Sequence, residues 1–366
     1  MTIVDRPATD AARLLPAVER YAERVLRPGA AHAASAPIPA ERVAELRALG
    51  ALNHLAGPEW GGLGATTAQD RRVHELVAAG CFNTWLVWAQ HASSVGFAAG
   101  ALAKRGTDAA PGPHTQALLR GDRLAGAALS DLRRFPDRYL AARRDGAGWR
   151  IDGRVSWFSG WGLGELIVVG AIDERQRVIV GVAELDATAV TAEPLELGSL
   201  AGSRTAALRL EGLRLDDAEV LSVASREQWA LRDEQLSVSA RPQVLALLAE
   251  AVELLAAEPE AAGLAEQWRA PVAELREHVY ALADREPGAE PSPRLHEQRR
   301  EARVRSASLL AELSRALLIA RAGRGLLAGD PARRLADHAA FLQVQSQTVS
   351  LRRAQLGSLL PASDPR

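Results

Sequence analysis

The stretch GRVSWFSGWGLGELIVVGAI, residues 153–172, places Trp157, Phe158 and Trp161 within five positions of a chain that is only 4% aromatic. Ser159, Gly160 and Gly162 are interleaved with them, and an apolar run follows that reads as a buried strand. Such a cluster is either a platform for a bound group or a plug between packed elements, and the residues alone leave both open. Other chemistry is sparse. Of the eight histidines, His91 in WAQHASS has an apolar setting, read as structural ahead of catalytic. Cys81 is the sole cysteine, which excludes an intrachain disulfide and a cysteine-based zinc site and reads as a small buried apolar residue. GRGLLA, residues 323–328, and GWGLG, residues 160–164, mimic dinucleotide-binding glycines, but the first follows a helix and the second leads into a strand, so both are rejected. No G-x-S-x-G, Walker loop or H-E-x-x-H occurs, and no metal site is expected.

Three element groups must position these residues. A chain of 366 residues, 48% hydrophobic and 24% charged, can bury a sizeable core. Its 44 basic against 45 acidic residues give a formal charge of -1, with no excess to draw in nucleic acid or an anionic membrane. MTIVDRPATDAARLLPAVERYAERVL carries charge throughout, unlike a secretory leader, and no apolar run reaches membrane-spanning length, so a cytoplasmic location is expected.

Residues 1–118 read as a helical domain. Thr9 and Asp10 can cap a first helix that Pro28 stops; IPAERVAELRALG forms a second with Gly50 at its end; Thr66 or Thr67 caps a third; residues 84–104 form a buried helix. Residues 119–222 carry short alternating segments, DRLAGAALS, RYLAARRD, GWRIDGRVSW, GELIVVGAI, RVIVGVAEL and AALRLEGLRL, which predict an antiparallel β domain or barrel. Residues 223–366 return to helices, including 267–283, about 296–327 with Leu310, Leu313, Leu317 and Leu318 on its packed side, and about 331–359. The fold class is therefore α+β multidomain: N-terminal helical domain, central antiparallel β domain, C-terminal helical bundle.

That order, with four words inside it, resembles the acyl-CoA dehydrogenase family of flavoproteins. GPEWGGLGAT is similar to the family's Pro-x-x-x-Gly-Gly-x-Gly loop, and GAALSD, residues 126–131, to the start of its flavin-binding strand. WRIDGRVSWFSGWGLGELIVVGA resembles the next two strands, and LGSLAGSRTAALRLEGLRLDDAEVL the pair closing the β domain. The resemblance implies an FAD-dependent enzyme acting on an acyl thioester carried by CoA or a carrier protein. It puts Trp157 and Phe158 at the aromatic wall beside the isoalloxazine, Ser159 at the hydroxyl near N5, Ser130 on the pyrimidine side and Thr348 at a further flavin contact. Arg241 and His91 are the candidate substrate contacts. Oligomerisation through the last domain is implied, as a homo-oligomer or with a related subunit.

The chain also departs from the family. Removing a thioester α-proton needs a positioned carboxylate. AAFLQVQSQTVSLRR puts Ser346 where many members carry that Glu, and VSARPQ puts Ala240 where others carry it. Asp131 and Glu165 border the flavin-type strands and read as solvated strand-end charges. The family's Arg-x-x-Phe-Gly word for a neighbour's FAD diphosphate is absent from AAEPEAAGLAEQWRAP. In GDPARRLADHAAF, Arg334 and Asp337 match charged family positions or form an intrahelical pair. Three functions follow as expectations: an FAD oxidoreductase with a missing or relocated base, a catalytically degenerate subunit of a heteromeric dehydrogenase, or a flavin-free enzyme or scaffold on the same fold.

Overall fold

The computed structural model describes residues 11–105, 110–285 and 292–360, in two compact units, Met1–Trp229 and Ala230–Arg366. Thr9 and Asp10 lie outside the described residues. Helix α1 (Ala11–Tyr21) buries Leu14, Val18 and Tyr21. Pro28 does not stop this helix, contrary to expectation. The chain passes through a π segment, Ala22–Leu26, in which the Arg27 N–H reaches back to the Ala22 carbonyl, and continues as α2 (Arg27–Ala33). The i→i−5 bond of Arg27 thus lies immediately before Pro28, which has no N–H to continue the ladder, and the helical run passes the proline through this local π turn. Helix α3 (Glu41–Ala48) ends with Gly50 in the left-handed region at φ 73°, its N–H on the Arg47 carbonyl. Thr66 caps α4 (Thr67–Gly80) in a reciprocal capping box with Gln69. Helix α5 (Phe82–Arg105) is buried without a break over residues 82–89, and α6 (Pro113–Arg120) follows.

The sheet comprises β1 (Ala125–Ala128), β2 (Ala141–Asp145), β3 (Gly148–Phe158), β4 (Leu166–Asp173), β5 (Arg177–Glu184), β6 (Val190–Pro194), β7 (Ala206–Asp216) and β8 (Val220–Ser225). Its order is β6-β7-β3-β2-β4-β5-β8, with β1 also on β4. Most pairings are antiparallel, but β1 and β2 both run parallel to β4. The β2–β3 hairpin is inserted between β1 and β4, so the chain re-enters beside β1 in the same direction. β4 is buried throughout because both its faces are covered. Ile167, Val169 and Ala171 join one core with Ile151, Val155 and Leu208. Leu166, Val168 and Ile172 join another with Val95 and Ala98 of α5 and Leu118 and Leu119 of α6. The strand's period-two alternation therefore feeds two cores at once.

Gly126 of β1 lies directly under the Phe158 ring, where a Cβ would stand 2.3 Å from Cζ. Phe158 is 1% exposed and has nowhere to retreat. Gly126→Ala is expected to destabilise the first unit by about 2 kcal/mol, read as a lower midpoint in urea.

In the second unit, α7 (Arg226–Ser237) crosses from the first, and α8 (Pro242–Ala256), α9 (Ala262–Asp284), α10 (Pro293–Arg321), α11 (Pro331–Val344) and α12 (Val349–Gly357) follow. Leu310, Leu313 and Leu317 are buried along α10 as expected. The helix expected over 296–327 closes earlier, in a 3-10 turn at Ala322–Leu326. The one expected over 331–359 is two helices, because Gln345 is extended and Ser346 adopts φ 54°. Arg321 ties this end together, bonding Glu258 and, at 2.8 Å, Asp330, the cap of α11. Asp337 pairs with Arg333 at 3.2 Å, one turn back, while Arg334 donates to the Gly329 carbonyl.

Candidate functional site

The aromatic stretch is divided by a bulge. The β3–β7 register shifts between Val155↔Leu208 and Phe158↔Ala206, so three steps on β3 oppose two on β7. Val155 and Phe158 consequently enter the same core, and Ser156 and Trp157 are left partly exposed. Trp157 is the member of the cluster re-aimed away from that core. Phe158 belongs to it, with Trp161 edge-on at 6.5 Å. This corrects the reading of Phe158 as a wall for a cofactor, since a ring packed on Gly126 has no free face.

Ser159 is also turned inward. It is 2% exposed, and its hydroxyl lies 2.9 Å from Thr205 Oγ1, which lies 2.7 Å from Ser203 Oγ. Ser203 gives its single proton to the Leu200 carbonyl at 2.7 Å. Thr205 must therefore donate to Ser203, and Ser159 to Thr205. The Ser159 proton is committed within the protein, which removes this side chain as a donor to a flavin edge.

Ser130 is exposed at the start of the 3-10 turn Ser130–Arg134. Its neighbour Asp131 corrects a second expectation. The carboxylate is buried, accepting the Ser156 backbone N–H at 2.7 Å and the Ser156 hydroxyl at 2.6 Å. Asp131 thus fastens the turn to the bulge, bringing Ser130 and Trp157 into one neighbourhood, and is not a solvated charge. Glu165 is solvated as expected, sharing Arg123 with Glu184 at the strand ends.

His91 is fully buried. Its Nε2 stands 2.7 Å from the Leu52 carbonyl, and its Nδ1 accepts the Ala125 N–H at 3.1 Å. A carbonyl requires a proton on Nε2 and an N–H requires a lone pair on Nδ1, so the ring is the neutral Nε2–H tautomer. Burial pushes its pKa down to about 4, against the opposing pull of the Leu52 bond. With both nitrogens engaged, His91 joins β1 to the segment after α3 and has none left for a substrate.

In the second unit, Ala240 and Arg241 precede α8, with Arg241 as its N-terminal cap residue. Ser346 sits in the break between α11 and α12. No carboxylate stands at either position. Around the break, Gln243 donates to the Gln345 side chain at 3.2 Å and Arg303 to the Gln345 carbonyl at 3.2 Å. Thr348 caps α12, accepting the Leu351 N–H at 3.3 Å. Its proton goes to Ser350 at 3.2 Å, because Ser350 donates its own to Glu234. The Thr348 hydroxyl is therefore engaged in both directions, which corrects its reading as a flavin contact.

Sequence reasoning missed Arg303. Its signal is an arginine on the packed side of α10, where Arg303, Ser306, Ala307 and Leu310 are all buried at helical spacing. Among the described residues, no three His, Cys, Asp or Glu gather as a metal site, and no helix is long and apolar enough to cross a membrane.

Residues 9–121 match the model of the acyl-CoA dehydrogenase N-terminal domain. No curated protein matches the chain in sequence. Among solved structures, butyryl-CoA dehydrogenase from Megasphaera elsdenii is 13% identical with a TM-score of 0.76, over 99% of each chain. Glutaryl-CoA dehydrogenase from Mycobacterium smegmatis, solved with FADH2, is 17% identical with a TM-score of 0.73, over 97% of this chain and 96% of that one. Dibenzothiophene monooxygenase from Paenibacillus sp. A11-2 is 15% identical with a TM-score of 0.76, over 96% and 99%. Helical domain, β sheet and helical region follow in the order of these structures: residues 9–121 match the acyl-CoA dehydrogenase N-terminal domain, and the chain as a whole has the acyl-CoA dehydrogenase fold.

Proposed function

We propose that the protein is an FAD-binding, acyl-CoA dehydrogenase-like oxidoreductase acting on an acyl thioester of CoA or a carrier protein, with its catalytic base missing or relocated. The observation that carries this reading is the bulge that turns Trp157 out of the core beside Ser130, on a chain sharing its fold end to end with CoA dehydrogenases. Trp157 offers a half-exposed aromatic face and Ser130 a free-standing hydroxyl, and both fit a flat ring with a polar edge. Phe158, Ser159 and Thr348 do not fit as side-chain contacts in their present arrangement. A bound flavin would supply the hydride acceptor. The chain's own part is to stack the ring on Trp157 and hold one edge from Ser130.

Neutral residues at Ala240 and Ser346 favour a second reading, a catalytically degenerate subunit that binds flavin beside a related chain carrying the carboxylate. Exposed Ile319, Leu326, Val344, Val349 and Leu356 on the last helices support association with another subunit, of the same or a related kind. Purified protein is expected to show flavin absorbance, or to gain it on adding FAD; a colourless protein that stays colourless refutes the flavin reading. Trp157→Ala is expected to weaken FAD binding about tenfold with little change in stability, measured by flavin fluorescence quenching. Unchanged retention with a lower melting temperature would return Trp157 to a packing role. Turnover of an acyl-CoA by the homogeneous chain decides for the oxidoreductase, and turnover only after mixing with a Glu-bearing homologue decides for the subunit.

A further inference from the structure

The bulge in β3 also brings a cation to the neighbourhood of Trp157. Val155 and Phe158 both enter the core, so Ser156 and Trp157, the two residues between them, share the opposite side of the sheet. Ser156 is bonded from two directions. Its hydroxyl proton goes to Asp131 Oδ1 at 2.6 Å, which leaves the oxygen to accept from Arg138 Nη1 at 2.8 Å. Arg138 is exposed, and among the described residues it pairs with no carboxylate, its chain neighbour Asp137 included. The Asp131 carboxylate, set apart from Arg138 by the hydroxyl, also accepts the Ser156 N–H at 2.7 Å and faces Arg134 at 3.9 Å. Arg134, Asp131, Ser156 and Arg138, taken in that order, therefore hold two cations and one carboxylate. The unmatched positive charge sits on Ser156, next to Trp157.

Ser130 immediately precedes Asp131, so an isoalloxazine stacked on Trp157 with an edge at Ser130 lies beside this string of side chains. The oxidised ring is neutral. Taking up a hydride, two electrons with one proton, leaves one negative charge on the pyrimidine edge, spread over N1 and the C2 carbonyl. A guanidinium stays protonated throughout the working range and attracts that charge, while it gains little from the neutral ring. Resting on the flavin reading above, we propose that Arg138 is the counter-charge for the reduced cofactor. It raises the reduction potential of the bound flavin without setting how tightly the oxidised flavin is held.

The test uses the full chain as wild type, Arg138→Gln and Arg138→Lys, each titrated with FAD. Affinity for oxidised FAD is read by fluorescence quenching, and the reduction potential by equilibration with a reference dye, with xanthine and xanthine oxidase supplying electrons. Arg138→Gln should lower the potential by about 30 mV, the two-electron equivalent of an about tenfold weaker hold on the reduced form. Its affinity for oxidised FAD should stay within about twofold of wild type. Arg138→Lys keeps the charge and should keep the potential, and high salt should shrink the difference between wild type and Arg138→Gln. Because Arg138 is exposed, both variants should unfold at the wild-type urea midpoint. One potential for all three proteins overturns the proposal. So does an equal weakening of oxidised and reduced FAD, which assigns Arg138 to the cofactor's phosphates. A wild-type chain that binds no FAD fails the flavin reading and the proposal with it, whereas a bound flavin indifferent to Arg138 refutes the proposal alone.

Discussion

Replacing His91 by leucine is expected to destabilise the first unit by about 4 kcal/mol at pH 7.5, because two buried backbone groups lose their partner and each such loss costs about 1–3 kcal/mol. The Leu52 carbonyl and the Ala125 N–H both depend on this one ring. Leucine fills similar space, so the loss reports the hydrogen bonds rather than a cavity. The substitution should also remove part of the acid sensitivity. With the His91 pKa pushed down from 6.5 to about 4 in the fold, the unfolded chain takes up a proton as pH falls through about 6.5 and the folded one does so only near 4. Stability from the neutral ring is complete above about pH 6.5 and falls by about 3 kcal/mol between there and pH 4. Urea titrations at pH 7.5 and 5, followed by tryptophan fluorescence, should converge for wild type and His91→Leu as pH drops. His338, which burial pushes down to about 3, contributes its own loss in the second unit and should remain in the variant.

Glu219→Gln is expected to lower stability by about 3 kcal/mol, although it changes one atom. The carboxylate is 2% exposed and accepts the His114 N–H at 2.7 Å, the Thr115 N–H at 2.9 Å and the Thr115 hydroxyl at 2.6 Å. It caps the first turn of α6, where a negative charge also meets the positive end of the helix. A glutamine retains one acceptor oxygen and turns an amide toward donors, breaking charge-assisted bonds worth about 1.5–3 kcal/mol each. Gly112 gives this side chain its room, since a Cβ there would stand 2.4 Å from the carboxylate. A lower midpoint with unchanged slope in guanidinium confirms a local loss of stability; an unchanged midpoint shows the cap to be dispensable.

Local chemistry made much of the fold legible. Thr66 or Thr67 announces a helix start, Gly50 announces an end, and alternation in AALRLEGLRL announces a strand facing a core. What could not be read depends on distant partners. VTAEP of β6 is short and mostly exposed, and it is a strand because β7 pairs with it. AAFLQVQSQTVSLRR contains no helix breaker, yet the helix breaks where Gln345 bonds to Gln243 and Arg303. The candidate site follows the same division. An aromatic cluster is visible in SWFSGW, but which ring points outward is decided by the register against β7. Asp131 looks like a strand-end charge until Ser156 is seen to claim both its oxygens. Two arginines beside one cavity, Arg241 and Arg303, are 62 positions apart in sequence and meet only through the packing of α8 with α10.

The return of β7 to β3 bears on the order in which the molecule assembles. Hairpins β2–β3 and β4–β5 join neighbouring segments, whereas β3 waits for a strand about fifty residues downstream. Contacts of that separation close slowly, after local hairpins have formed. The bulge at Ser156 and Trp157 exists only against β7, so the indole acquires its native surroundings when that strand docks. Trp157 is thereby expected to report the docking of β7 on β3, and a chain arrested before that step carries the tryptophan without the platform.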